Sequence, residues 1–158
     1  MPSIEVPMTP REFTEFSIYL QQRPGELAGV LDAAQLAGVE IHSVSTAEHL
    51  DRGCVRIIGT PEEALRMVCE RLVESGVGPV VESPVMAVEI DNRPGAVRDL
   101  ALLMADHKVN VRYCYIIPAI AGKGSALCVF RLDEHDRAMD IVRNADWPTG
   151  VAGDESAA

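Results

Sequence analysis

Basic residues are scarce in this chain. Its 14 Lys and Arg stand against 24 Asp and Glu, for a net charge of −10. The few cations form no cluster along the sequence, so a phosphate backbone would be repelled and no nucleic-acid partner is expected. No apolar run approaches the roughly 18 residues of a membrane span, which excludes a membrane partner of the helical kind. The opening residues "MPSIEVPMTP" lack the basic and apolar regions of a secretory signal, and a cytoplasmic protein is expected.

Metal and redox motifs are also missing. Cys54, Cys69, Cys114 and Cys128 include no C-x-x-C, and each sits in an apolar run such as "MVCERL" or "ALCVF". Reduced, buried thiols are expected, with no disulfide framework. His42, His49, His107 and His135 show no H-x-x-H or H-E-x-x-H spacing, and His42 and His49, seven apart, fall on opposite faces of one strand. No metal site and no cofactor is expected. "GKGS" at Gly122 lacks the P-loop frame and falls in a hairpin, and neither G-x-S-x-G nor a Cys–His arrangement is present. The chain is therefore read as not an enzyme, without catalytic residues. Tyr113 and Tyr115, two apart on one strand face, suit a core or an interface better than a base-stacking platform.

What is present is a globular composition, 47% apolar over 158 residues, and a repeat. "QQRPGEL" and "DNRPGAV" share an Arg-Pro-Gly core that recurs 70 residues apart, at Arg23 and Arg93. Each copy is preceded by strand-like alternation, "EFTEFSIYL" and "VMAVEI". Each is followed by helical spacing: Leu27, Val30, Leu31, Ala34 in one and Val97, Leu100, Ala101, Met104 in the other. Proline gives up no hydrogen bond in a first helical turn, so each Pro-Gly reads as a strand-to-helix corner.

The correspondence continues through a second strand ("VEIHSVSTAE" from Val39, "VNVRYCYIIP" from Val109) and a third ("CVRII" from Cys54, "ALCVFRL" from Ala126). A longer hairpin in copy two then shifts the offset to 73. Second helices follow, with Thr60 and Asp133 as expected N-caps and Glu63 or Asp136 in the first turn. Copy one closes with the strand "GPVVES", and copy two offers only "PTGV" for its last. The order β-α-β-β-α-β, twice, predicts an α+β fold of two ferredoxin-like modules, antiparallel sheets with helices on one face. The expected modules span 11–83 and 84–151, with terminal extensions 1–10 and 152–158.

A Pro-Gly corner of this kind leaves helix N–H groups unsatisfied at the positive end of a macrodipole, and glycine lets a ligand approach the backbone. A small carboxylate suits such a place.

The complete pattern, "QQRPGELAGVLDAAQLAGVEIHSVS" and "DNRPGAVRDLALLMADHKVNVRYCY" inside the doubled fold, resembles two ACT domains in tandem, like those of the small stand-alone ACT proteins. The resemblance implies regulatory binding of an amino acid where ACT modules meet. In ACT domains similar to those of phosphoglycerate dehydrogenase, an asparagine before the Arg-Pro-Gly and another at the start of the second strand hold the ligand. Asn92, Arg93, Pro94 and Gly95, with Ala96 and Val97 behind them, match the first element, and Val109 and Asn110 the second. In copy one Gln22 replaces Asn92 and Glu40 replaces Asn110, while Gly25, Glu26 and Leu27 keep the corner. Ile90, two before Asn92, is not polar, so a serine specificity does not carry over.

The resulting expectation is a non-catalytic regulatory protein with a small amino acid as ligand at a module interface, a homodimer, and a biosynthetic enzyme as partner. The alternative is a regulatory subunit or scaffold that binds a partner enzyme and holds no ligand.

Overall fold

A computed structural model of the chain describes residues 9–91, 94–118 and 125–146. The elements run β1 (Arg11–Gln21), α1 (Glu26–Leu36), β2 (Glu40–His49), β3 (Arg52–Thr60), α2 (Glu62–Glu74), β4 (Val80–Asp91), α3 (Ala96–Asp106), β5 (Val111–Pro118), β6 (Ser125–Leu132) and α4 (His135–Arg143). They group into two compact units. The first is Phe13–Val85, and the second is Met86–Ala158 together with Met1–Glu12.

In the first unit β3 lies between β2 and β1, antiparallel to both. The start of β4 is tied to β1 by the Tyr19 N–H, which donates to the Pro79 carbonyl at 3.0 Å. The register pairs Phe16 with Ile57 and Ile18 with Val55. Those four apolar side chains share one sheet face and pack with Val30 and Ala34 of α1 and Leu65 and Cys69 of α2. Alternation along the strand thus decides which face the helices cover. The reverse face carries Glu15, fully buried, with Oε1 3.9 Å from the Arg56 Nε.

In the second unit β6 lies between β4 and β5, again antiparallel. Met86, Val88 and Ile90 of β4 meet Phe130, Cys128 and Ala126 of β6 at the same rungs, under Leu100 and Met104 of α3 and Ala138 and Val142 of α4. Each unit therefore carries its own core. The α+β, ferredoxin-like class expected from the repeat is the architecture seen.

Several local expectations are corrected. "GPVVES" and "VMAVEI" are not two strands: β4 runs through both without a break. Thr60 does not cap α2. Its hydroxyl is 2.7 Å from the His42 Nε2, and Pro61 holds the cap position without a side-chain bond. Asp133 does not cap α4 either, because its carboxylate is taken by Asn110 and Arg112, and Glu134 stands at the cap. The prolines do not lie in the first helical turn: Gly25 and Gly95 are the caps, so Pro24 and Pro94 precede the helices. Cys114 is exposed although it pairs with the core residue Phe130, whereas Cys54, Cys69 and Cys128 are buried. The "PTGV" strand and the Gly122–Gly124 part of "GKGS" lie outside the described residues.

Candidate functional site: the first Arg-Pro-Gly corner

β1 ends at Gln21, and the chain must reverse within four residues to start α1 at Glu26. Gly25 makes this possible at φ 90°, a left-handed conformation that side chains with a Cβ resist. The Gly29 N–H reaches back to the Gly25 carbonyl at 2.9 Å, which closes the first helical turn. No side chain caps the helix. The N–H groups of Leu27 and Ala28 precede the first intrahelical bond and keep no acceptor within the helix, so α1 presents donors and a positive dipole end here.

The opposing wall comes from the β2–β3 hairpin. Leu20 pairs with Gly53, which pairs with Glu48, and Val55 pairs with Thr46. All five residues therefore share the helix-facing side of the sheet, beyond the start of α1. Together with Gln22, Arg23, Glu26 and Leu27 they bound an open cleft of about 430 Å³. Gly53 leaves the floor low. A Cβ there would lie 3.8 Å from both the Nε2 and the Oε1 of Gln22, so the glutamine amide lies across that glycine. The Arg23 Nε donates to the Glu26 Oε1 at 3.0 Å, with the guanidinium largely in solvent and the carboxylate mostly covered. Cys54 also borders the cleft, and burial pushes its thiol up despite the nearby Arg56.

Of the residues expected in copy one, Gln22, Glu26 and Leu27 line this cleft, and Gly25 forms the turn beside it. Thr46, Glu48, Gly53 and Val55 carried no motif. Only the strand register brings them to the corner, and the antiparallel pairing of the first and third strands was the available signal.

The second corner repeats the backbone. Gly95 caps α3 at φ 86°, and the Asp99 N–H donates to the Gly95 carbonyl at 2.9 Å. Pro94 and Gly95 are exposed, Ala96 is buried and Val97 half-buried. Asn92 and Arg93 lie outside the described residues. Val109 and Asn110 stand past the other end of α3, whose 11 residues span about 16 Å at about 1.5 Å per residue. Gly95 and Asn110 are therefore not brought together within this unit. The same holds for Gly25 and Glu40 at the two ends of α1.

Asn110 is otherwise engaged. Its Nδ2 donates to the Asp133 Oδ2 at 3.0 Å, and its carbonyl accepts the Asp133 N–H at 3.2 Å. The Arg112 guanidinium closes on the other Asp133 oxygen, and with the Asn110 amide it holds that carboxyl below the usual carboxylate range.

Two βαββ-type units, each turned by a left-handed glycine at the head of its first helix, define a doubled ferredoxin-like module with one backbone corner per copy. The sequence matches the family model of the ACT domain pair over residues 11–148, and the chain belongs to that family. A search of curated proteins gave no match. Among solved structures, a Bacteroides thetaiotaomicron protein is similar at 20% identity and a TM-score of 0.73, covering 85% of this chain and 89% of that one. The regulatory subunit of aspartate kinase from Thermus thermophilus, in a ligand-free form, is similar at 14% identity and a TM-score of 0.61, with 82% and 90% covered. The aspartate kinase of Clostridium acetobutylicum matches at 13% and 0.57, covering 87% of this chain and 33% of that enzyme.

Proposed function

We propose that this chain is a non-catalytic regulatory protein that binds a small amino acid, and that the cleft of the first unit receives it. The observation carrying this reading is the convergence on one cleft of uncapped helix N–H groups, Arg23, and the carboxylates of Glu26 and Glu48. A free amino acid is a zwitterion. Its carboxylate matches the positive end of α1 and Arg23, its ammonium matches Glu26 or Glu48, and Leu20 and Val55 offer an apolar floor for its side chain. The volume falls in the range of about 300–1,000 Å³ typical of small-molecule sites. Membership in the ACT domain pair family supports the reading, and the similar regulatory subunit of aspartate kinase supports regulation over catalysis.

The test is a thermal-shift screen against the twenty amino acids, followed by calorimetric titration of the best. A ligand at about 100 times its dissociation constant adds about 2.7 kcal/mol of stability. Gly53→Val should weaken that ligand at least about tenfold, or about 1.4 kcal/mol, by raising the cleft floor. The added Cβ itself makes only ordinary contacts, so the fold survives the change. No shift with any amino acid at millimolar concentration would replace this reading with that of a subunit recognising an enzyme without a ligand.

A homodimer acting in the cytoplasm, with a biosynthetic enzyme as client, completes the proposal. β2 pairs with β3 on one side, and among the described residues no strand pairs with its other side. Open edges of this kind favour pairing with a second copy. Light scattering should give about 34 kDa, twice 17.1 kDa; the single-chain mass at tens of micromolar would remove the dimer. Among the described residues no helix is long and apolar enough to cross a membrane.

A further inference from the structure

In the second unit, away from either corner, His135 is the first residue of α4 and is 9% exposed, yet neither ring nitrogen has a hydrogen-bond partner. A buried imidazole left in that state carries a desolvation penalty that native structures rarely leave uncompensated. The Glu12 Oε2 stands 3.2 Å from its Nε2, outside hydrogen-bond geometry, and Asp136 adds a second carboxylate. One ligand atom from each of the three residues lies within 4.8 Å of the others.

The geometry points to Glu12, His135 and Asp136 as a binding site for a divalent first-row transition-metal ion of the zinc class. With metal–ligand bonds of about 2.1 Å, tetrahedral donors stand about 3.4 Å apart. The Glu12–His135 pair, at 3.2 Å, is already close to that separation, and the exposed Asp136 offers its ligand atom within 4.8 Å of both. One imidazole nitrogen with two carboxylate oxygens selects this class over magnesium or calcium, which favour sites built of oxygen alone. Three protein ligands leave a fourth position for water.

The neighbouring cations do not fill the role. Arg11 is turned to Glu89 at 4.0 Å, and Arg137 donates to Glu134 and to the His107 carbonyl. The positive end of α4 opposes a cation, but only as a fractional charge against two full carboxylates. An ion here would clip residue 12 to the head of α4. Histidine spacing gave no sign of it, because the ligands come from positions 12, 135 and 136.

The full chain, stripped with a chelator, is titrated with zinc in competition with a chromophoric chelator, and with cobalt for visible absorption. We expect one ion per chain. Glu12→Gln and Asp136→Asn, exposed and nearly isosteric, should each weaken binding at least about tenfold and alter the cobalt spectrum. Cys114→Ser should leave binding intact, and zinc should raise the melting temperature of wild type but not of Glu12→Gln. Three outcomes would each overturn the assignment: no uptake by the folded chain at tens of micromolar zinc, unchanged affinity in both carboxylate variants, or loss of the site in Cys114→Ser.

Discussion

Replacing Arg56 with methionine should be among the most damaging single changes in the first unit. Glu15 on β1 is fully buried, and its Oε1 lies 3.9 Å from the Arg56 Nε on the adjacent β3, whose side chain is 20% exposed. At an effective dielectric of about 20, unit charges at that separation attract by about 4 kcal/mol. Methionine keeps most of the aliphatic bulk and removes the cation, so a buried carboxylate loses its counter-charge, a change that typically costs about 3–5 kcal/mol. The double variant Glu15→Leu with Arg56→Met removes both charges and should recover most of the loss, because an apolar pair of similar size is often neutral or better. Urea unfolding followed by circular dichroism at pH 7 measures all three chains. A loss below about 1 kcal/mol for Arg56→Met at pH 7, or a double variant as unstable as the single, would refute the reasoning.

Gly29 and Gly25 form a matched pair, since a Cβ at either meets nothing within 4 Å. Gly29→Ala should stabilise by about 0.5–1 kcal/mol by helix propensity, while Gly25→Ala, at φ 90°, should destabilise by about 1–2 kcal/mol; thermal melts showing the same sign for both would contradict this. Asp133, held below the usual carboxylate range by Arg112 and then Asn110, contributes stability that is complete above that range and is lost as pH falls through its lowered value. Asp133→Asn should therefore flatten that part of the acid unfolding curve, and an unchanged curve would exclude the pairing. Burial pushes the Cys69 thiol up to about 11 and the Cys128 thiol up to about 12, and Cys54 is also raised. A thiol reagent at pH 8 should titrate one fast group in the native chain, absent in Cys114→Ser, and four after unfolding; two or more fast groups would mean the cores open readily.

The fold was legible because its signals are local. Alternation in "EFTEFSIYL" and the spacing of Val30 and Ala34 depend only on strand and helix periods, and the recurrence of Arg-Pro-Gly revealed the doubling. Strand junctions and caps were less legible. Nothing in "GPVVESPVMAVEI" shows that one strand runs through Pro84, and Thr60 and Asp133 looked like caps until their side chains found partners on neighbouring strands.

The sequence by itself determined the class, the two cores and the two glycine corners, since each follows from residue types a few positions apart. Tertiary structure decided where the chemistry converges. Strand pairing, a long-range choice, carried Thr46, Glu48 and Gly53 to the first corner and left Asn110 a helix length from Gly95. The same kind of long-range choice placed Glu12 against His135, two residues 123 positions apart that no spacing rule connects.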